Sequence, residues 1–244
     1  MHDPVYFNDS DCLRRFLLQL TAFHQFLNSV VASNRNPTAY QLLLVGGSRN
    51  SRDDALITRL RRQCEDLRIE KNVQFHVNVD FATLRNLFKQ CTINLHTMVD
   101  EHFGIVRKSE CLWNVYLSKL LHAFSSRYVC FPPFPWFVLT VLITAILHWL
   151  DIWNVAHDSG GPRTDIIGPR ACSLTNKSSK PENGVGFLAS TPTEYATVFE
   201  HVLLHMDPSD LAAVKRNAWQ RARDLFSEHA FSVGWIDCIK PLLL

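Results

Sequence analysis

Residues 41–47 read QLLLVGG, and this stretch decides the fold. Its apolar run is too short for a helix and is typical of a strand that is buried on both faces, while the two glycines predict a turn directly after it. Strands of this kind occur in parallel sheets that are covered by helices. QLLLVGG therefore predicts one strand of such a sheet, with a glycine turn at the carboxyl edge, where sheets of this class bind ligands.

Helices and strands alternate on both sides of this segment. Alternation with short connections predicts an α/β fold, namely a Rossmann-like parallel sheet with helices on both faces. The pattern breaks off after residue 105 and resumes at residue 154. The predicted strands are residues 41–45, 73–79, 92–96, 154–157 and 184–189, and the predicted helices begin near residues 10, 53, 80, 193, 209 and 231.

Helix faces and helix starts can be predicted residue by residue. Helical spacing places Val31 on the inward face of the first helix and Phe81 on that of the third. Thr193 and Ser209 are the predicted N-caps of two later helices. These positions test how far local patterns determine packing.

The composition narrows the class of function. Hydrophobic content of 47% and charged content of 20% are those of an ordinary globular protein. A net charge of +2 gives no electrostatic case for nucleic acid, so none is expected as a partner. The seven cysteines are scattered without a C-x-x-C pair, which favours a reducing compartment over a disulfide scaffold.

Residues 106–154 interrupt the pattern with a hydrophobic insertion. Within it, residues 128–150 carry no formal charge and have the length of a membrane span, although three prolines break the first third. A membrane anchor and a segment without a structural role both remain open. A further hypothesis is that the insertion is a translated intron or a gene-model error, because its sharp start at Val106-Arg107 could encode a splice donor.

Three loops are predicted at the carboxyl ends of strands: residues 46–49, 97–105 and 157–162. Glycine lets backbone N–H groups approach phosphate or sugar oxygens closely. Arg49 can pair with a diphosphate, and Glu101 can accept hydrogen bonds from two sugar hydroxyls. Each signal alone also fits a plain turn or a surface charge, and His102 and His157 also fit core or surface positions. The histidines have no metal-ligand spacing, so no metal is expected.

The order and wording of the motifs give a more specific indication. They resemble retaining GT-B glycosyltransferases, and within these the GDP-mannose-dependent α-1,2-mannosyltransferases that extend the dolichol-linked oligosaccharide on the cytosolic face of the endoplasmic reticulum. The resemblance covers about residues 13–105 and 155–240. The segments that carry it are residues 43–50, 60–62, 65–67, 72–75, 95–98, 101–105, 156–162, 165–166 and 186–189.

The resemblance implies a donor site and a role for each matching residue. Glu101 matches the first glutamate of the family's E-x7-E motif, which implies that it holds hydroxyls of the transferred mannose and is the catalytic candidate. The chemistry implied is a metal-free hexosyl transfer in which the diphosphate departs and the acceptor hydroxyl attacks the same face. The implied donor-binding residues are Gly46, Gly47, Arg49, Asn78, Val79, His102, Phe103, Gly104, Ile105 and Glu110.

The second glutamate of the motif departs from the family's spacing. Its position is occupied by Ser109, and Glu110 follows one residue late. Glu110 therefore stands either for the glutamate that holds the ribose or for a chance match.

The resemblance also implies a domain organisation. Residues 1–105 and 155–244 are expected to form one donor-nucleotide-binding domain, and residues 106–154 an aberrant insertion. The family's acceptor-binding domain is not in the chain, so we expect the chain alone to be inactive or nearly so. The implied partners are GDP-mannose, a lipid-linked oligosaccharide acceptor and the endoplasmic reticulum membrane. The alternative is a non-catalytic fragment that only binds a nucleotide sugar or a membrane-associated partner.

Overall fold

A computed structural model describes the chain over residues 9–99, 114–119, 153–172 and 184–240. The strands are β1 (Tyr40–Gly46), β2 (Val73–Val77), β3 (Ile93–His96), β4 (Asn114–Lys119), β5 (Trp153–His157) and β6 (Phe187–Ala189). The helices are α1 (Asp9–Ala32), α2 (Ser51–Asp66), α3 (Phe81–Gln90), α4 (Pro192–Glu200), α5 (Pro208–Phe226) and α6 (Glu228–Ile239).

All the described strands form a single sheet in the order β2-β1-β4-β3-β5-β6. The pairs β1–β2, β3–β5 and β5–β6 are parallel. Strand β4 is antiparallel to both of its neighbours, β1 and β3, so the other five strands all point the same way. The predicted parallel α/β fold is confirmed, but the antiparallel strand was not predicted, because it lies in the hydrophobic insertion.

Helices cover both faces of the sheet, as the sequence predicts. Alternate residues of β1 point to opposite sides, as the pleat of a strand requires. Leu42 and Leu44 are buried in the main core with α1, α2 and α4. Leu43 and Val45 pack on the other face against Leu87 of α3. A continuous apolar run in a central strand is therefore explained by burial on two sides.

Two predicted inward positions are wrong. Val31, near the carboxyl end of α1, is 56% exposed, and Phe81, the first residue of α3, is 76% exposed. Both lie in a terminal turn of their helix. Phe26, which was not assigned to the inward face, is fully buried and packs edge-on against Tyr40 of β1.

The two predicted caps are each displaced by two residues. The N-cap of α4 is Thr191, not Thr193, and it forms a capping box with Glu194. The N-cap of α5 is Asp207, not Ser209. In both cases a proline follows the cap directly, and proline is favoured in the first turn because the helix needs no N–H from it there.

Within the described residues, no helix has both the length and the apolar character required to cross a membrane. The uncharged segment 128–150 lies outside the described residues.

Candidate functional site at the carboxyl edge of the sheet

The loops that follow the five parallel strands share one edge of the sheet, because parallel strands all end on the same side. The chain leaves this edge at Gly46, Val77, His96, His157 and Ala189. In doubly wound sheets, ligands bind outside this edge. The described parts of all three predicted loops are therefore on the expected side of the domain.

The glycine turn after β1 is held by one asparagine. Asn78, the residue after β2, donates its backbone N–H to the Gly46 carbonyl at 2.9 Å. Its side chain accepts from the Ser48 N–H at 2.9 Å and donates to the Ser48 carbonyl at 3.1 Å. Asn78 has a left-handed backbone conformation with φ of 54°, which asparagine tolerates better than most residues. Asn78 thus lies beside Gly46 and Gly47 and fixes the shape of their turn.

Arg49 lies at the same turn but already has a carboxylate partner. Its Nε is 3.4 Å from Asp53 Oδ2, and its backbone N–H donates to the same oxygen at 3.0 Å. Its side chain remains 47% exposed. Asp54, in the first turn of α2 with Asp53, accepts from the Ser48 hydroxyl at 2.6 Å. A diphosphate that approached Arg49 would therefore also meet two carboxylates at the start of α2.

Val79 packs with the apolar residues under the edge. It contacts the buried cluster that contains Leu43, Val45 and Leu87. Its side chain makes apolar contacts with this cluster, while the neighbouring Asn78 makes the polar contacts with the turn.

The exit from β3 is held by two helices. Thr97 is buried, and its hydroxyl accepts from Gln19 Nε2 of α1 at 2.6 Å. The preceding carbonyl, of His96, accepts from the Tyr195 hydroxyl of α4 at 3.0 Å. Neither Gln19 nor Tyr195 was predicted as a site residue. For Gln19 the available signal was an amide side chain beside the apolar positions of an amphipathic helix.

The loop after β5 is short and is tied to β6. The backbone N–H of Asp158 donates to the Ala189 carbonyl at 3.1 Å, and His157 Nδ1 is 2.9 Å from the Ser159 hydroxyl. Gly160 has φ of 51°, a conformation that favours glycine. A π-helical turn, Pro162–Ile166, follows. The predicted turn at residues 158–162 is thus present at the carboxyl edge.

Strand β4 separates the first two of these loops. It pairs Val45 of β1 with Asn114 on one side and Leu95 of β3 with Val115 on the other. Strands lie about 4.8 Å apart, so the exits of β1 and β3 are separated by about 10 Å and are not nearest neighbours. The chain runs from β1 outward to β2 and then returns to β3 on the other side, and this reversal is where doubly wound sheets place their ligand. The antiparallel strand therefore occupies the switch point of the sheet.

The remaining predicted site residues lie outside the described residues. They are Glu101, His102, Phe103, Gly104, Ile105 and Glu110. Among the described residues, no three His, Cys, Asp or Glu side chains gather as metal ligands would. Burial raises the pKa of the Cys172 thiol to about 11 and that of the Cys64 and Cys91 thiols to about 12, so these three cysteines stay protonated and unreactive at neutral pH.

The parallel sheet, the two helix layers and the glycine turn at the carboxyl edge define a Rossmann-like domain of the kind that forms half of a GT-B fold. No family model matches the chain. Comparison with curated proteins identifies relatives that carry one name, GDP-Man:Man(3)GlcNAc(2)-PP-Dol alpha-1,2-mannosyltransferase. The resemblance predicted from the sequence is confirmed, because the chain is similar to these mannosyltransferases over most of its own length.

The similarity extends to relatives from distant organisms. The human relative is 30% identical over 225 residues, which is 92% of this chain and 35% of that protein. The mouse relative is 30% identical over 226 residues, covering 93% of this chain and 36% of the relative. The relative from Dictyostelium discoideum is 26% identical over 226 residues, covering 93% and 34%. The chain thus spans about a third of the length of the curated relatives it matches.

Proposed function

We propose that the chain supplies the donor-binding half of a GDP-mannose-dependent α-1,2-mannosyltransferase that extends a dolichol-diphosphate-linked oligosaccharide during assembly of the N-glycan precursor. The observation that carries this proposal is the similarity to mannosyltransferases over 92% of the chain. The parallel sheet, with its glycine turn at the carboxyl edge, supports it independently, because this edge is where such sheets hold nucleotides.

The proposed roles follow the loops. Glu101 holds mannose hydroxyls, and His102, Phe103, Gly104 and Ile105 line the sugar and phosphates with their backbone. The turn at Gly46 and Gly47 offers N–H groups at the cleft edge, and Arg49, which is half-exposed and paired with Asp53, is the cation for the diphosphate. The transfer retains configuration, needs no metal, and depends on stabilising charge on the departing diphosphate. Glu110 is the candidate residue for binding the ribose of the nucleotide.

The acceptor and the cellular location belong to the same proposal. The relatives' name states a GDP-mannose donor and a dolichol-linked oligosaccharide acceptor. A lipid-linked acceptor requires the reaction to occur at a membrane, and the family resemblance implies the cytosolic side of that membrane. We place the complete enzyme on the cytosolic face of the endoplasmic reticulum membrane.

Calorimetric titration of the full chain with GDP-mannose tests the proposal, with GDP as the sugar-free ligand and UDP-N-acetylglucosamine as the wrong donor. We expect GDP-mannose to bind and the wrong donor not to bind. Glu101→Gln should weaken GDP-mannose binding and leave GDP binding unchanged, because only the sugar contact is altered. Absence of GDP-mannose binding at millimolar ligand would reject the proposal.

Gly47→Ala tests most directly whether the donor binds against the glycine turn. A Cβ at Gly47 would meet only Asn78 Oδ1, at 3.4 Å, which is an ordinary contact. The substitution should therefore leave the thermal midpoint unchanged. If the donor approaches the Gly47 backbone, the added methyl group should still weaken binding of both GDP-mannose and GDP. Unchanged affinity would show that the turn is only structural.

A non-catalytic fragment is the second candidate, and the position of β4 favours it. That strand lies between the exits of β1 and β3, where the ligand should bridge the two halves of the sheet. The two carboxylates beside Arg49 also oppose a bound diphosphate. GDP binding without any preference for GDP-mannose would support this candidate over the first.

A further inference from the structure

The loop after β5 is anchored by one arginine from a helix that is distant in sequence. We infer that Arg221 of α5 is a positioning residue that fixes this loop, residues 158–166, at the carboxyl edge of the sheet, where the loop borders the bound donor. The contact with the donor rests on the proposed function, whereas the hydrogen bonds that fix the loop are properties of the fold. The whole loop lies within the described part of the chain.

Arg221 binds the far end of the loop with two hydrogen bonds. Its Nε donates to the Ile166 carbonyl at 2.7 Å, and its Nη2 donates to the Asp165 carbonyl at 2.8 Å. These are the last two carbonyls of the π-helical turn Pro162–Ile166. A cation is favourable at the carboxyl end of a helical turn, because the last carbonyls there lack partners inside the turn. The planar fork of a guanidinium holds both carbonyls at once.

The arginine is itself held in place, because α5 packs on this part of the fold. Ala218, one turn before Arg221, belongs to a buried cluster that also contains Ala156 of β5 and Ile167. Asn217, on the same helix, donates from Nδ2 to the Gly184 carbonyl at 3.1 Å. The helix thus contacts the strand before the loop and the residue after it, so Arg221 reaches the loop from a fixed support.

A hydrogen bond inside the loop connects its anchored end to its tip. The Thr164 hydroxyl donates to the Gly160 carbonyl at 3.1 Å and lies 2.8 Å from Asp165 Oδ2. Because Arg221 binds the carbonyls directly after Thr164, it also limits the positions that Gly160 can take. Gly160 lies three residues after His157, the last residue of β5, and therefore at the carboxyl edge.

The loop lies beside the point where the sheet reverses its strand order. Strand β5 pairs directly with β3 in parallel, with Ala156 opposite His96, so their exits are about 4.8 Å apart. Strand β3 forms one side of the reversal, where doubly wound sheets bind their ligand. A donor bound there has the loop after β5 as its next neighbour. A loop that is fixed before binding saves the entropy that ordering it would cost, and so increases affinity.

Amide hydrogen exchange tests whether Arg221 fixes the loop. The test variants are Arg221→Met and Arg221→Lys in the full chain, and the matched control is Arg223→Met. Arg223 is on the same helix, but its guanidinium lies over the Trp219 ring, 5.3 Å from the ring centroid. Exchange in residues 160–167 should be about tenfold faster in Arg221→Met, intermediate in Arg221→Lys, and unchanged in the control. Lysine keeps the charge but lacks the fork that holds two carbonyls.

Titration with GDP-mannose tests the contact with the donor, at a temperature where every variant is folded. We expect the affinity to fall about tenfold in Arg221→Met, to be partly restored in Arg221→Lys, and to change less than twofold in Arg223→Met. Thr164→Val breaks the link to Gly160 and should also weaken binding. The double variant Arg221→Met/Thr164→Val should bind no more weakly than Arg221→Met alone, because both changes act through the same loop. A merely structural role would lower the thermal midpoint and leave the affinity unchanged.

The outcomes separate this inference from the proposed function. Equal exchange rates in the wild type and Arg221→Met would overturn the positioning role, whatever the titrations show. Faster exchange in Arg221→Met with unchanged GDP-mannose affinity would overturn the contact between the loop and the donor. If the wild type does not bind GDP-mannose at all, the proposed function is rejected, and the exchange rates still decide whether Arg221 fixes the loop.

Discussion

Asn78 and Ser48 are joined by two hydrogen bonds that run in opposite directions, from the Ser48 N–H to Asn78 Oδ1 and from Asn78 Nδ2 to the Ser48 carbonyl. Asn78→Ala removes both and also leaves alanine with a φ of 54°. We expect it to lower the free energy of unfolding by about 2 kcal/mol, from the strained backbone and the lost hydrogen bonds together. Urea unfolding followed by circular dichroism measures the change.

Asn34→Ala is the control for the backbone term. Asn34 has the same φ of 54°, but its side chain makes no hydrogen bond to another described residue. Asn34→Ala should lower the free energy of unfolding only through the strained backbone, by about 1 kcal/mol. Equal losses in the two variants would show that the Asn78 side chain does not hold the glycine turn.

The N-cap of α4 is Thr191 in the structure, whereas the sequence predicted Thr193. Thr191→Ala removes the N-cap oxygen that accepts from the Glu194 N–H at 3.2 Å, so we expect a loss of about 1 kcal/mol. Thr193→Ala, at the position predicted from the sequence, should change stability by less than about 0.5 kcal/mol, because the side chain is exposed. Thermal unfolding of both variants decides between the two caps, and a larger loss at Thr193 would contradict the structure.

The same cap shows what a local pattern cannot determine. A threonine followed after three residues by glutamate is visible in the sequence at Thr191 and Glu194. The neighbouring Thr193 fits the apolar spacing of the helix almost as well, and only the capping hydrogen bonds distinguish them. The alternation of helices and strands, by contrast, predicted five of the six described strands, because burial on both faces leaves little freedom in β1 or β5.

Glycine at position 186 is required by the approach of two chain segments. A Cβ there would lie 3.0 Å from the Asn154 carbonyl oxygen and 3.3 Å from Ile167 Cδ1. Gly186→Ala should therefore destabilise the fold by about 1–3 kcal/mol, as overpacking does. The control is Gly234→Ala in α6, where nothing lies within 4 Å of the added atom. It should stabilise the protein by up to about 1 kcal/mol through helix propensity, and urea unfolding compares the two.

Acidification should weaken the fold through His201. Burial, and to a smaller extent His205, lower its pKa, while Asp210 opposes the shift, and its ring lies edge-on to Phe187 at 5.9 Å. The unfolded chain then binds a proton at about pH 6.5, before the folded chain does, so stability is full above that pH and falls below it. We expect the thermal midpoint to drop between pH 7.5 and 5.5, above the range where carboxylates titrate.

His201→Gln identifies the source of this loss. It should flatten the pH dependence, because the residue that takes up the proton is gone. His76, whose pKa burial also lowers, should account for part of the slope that remains, and His76→Gln tests that separately. If the thermal midpoint of His201→Gln falls with pH as steeply as that of the wild type, the pH dependence comes from other groups.

The candidate site was predicted only in part, for a physical reason. Two glycines after a predicted strand indicate a turn, so Gly46 and Gly47 were recognisable from the sequence itself, whereas Asn78 was assigned from the family resemblance. The side-chain hydrogen bonds at the end of β3 come from Gln19 and Tyr195. These two residues are 78 and 99 positions away in sequence from the residues that they contact. No local pattern encodes a contact of that range. Such contacts depend on how α1 and α4 pack, which only the fold specifies.

The insertion gives the last prediction. Strand β4 is the one described strand that runs against the others, and it lies in the segment 106–154, whose first residues could encode a splice donor. If that segment is translated intron, the mature transcript lacks it, and β1 and β3 become direct neighbours at the switch point. Parallel strands such as β3 and β5 still need a connection of about a dozen residues or more, so replacement sequence must follow Ile105. Full-length transcript sequencing should then show reads that join the Ile105 codon to a new exon encoding a Gly-Val-Val-Glu-like segment. Even coverage across residues 106–154 would instead establish the antiparallel strand as part of the natural sheet.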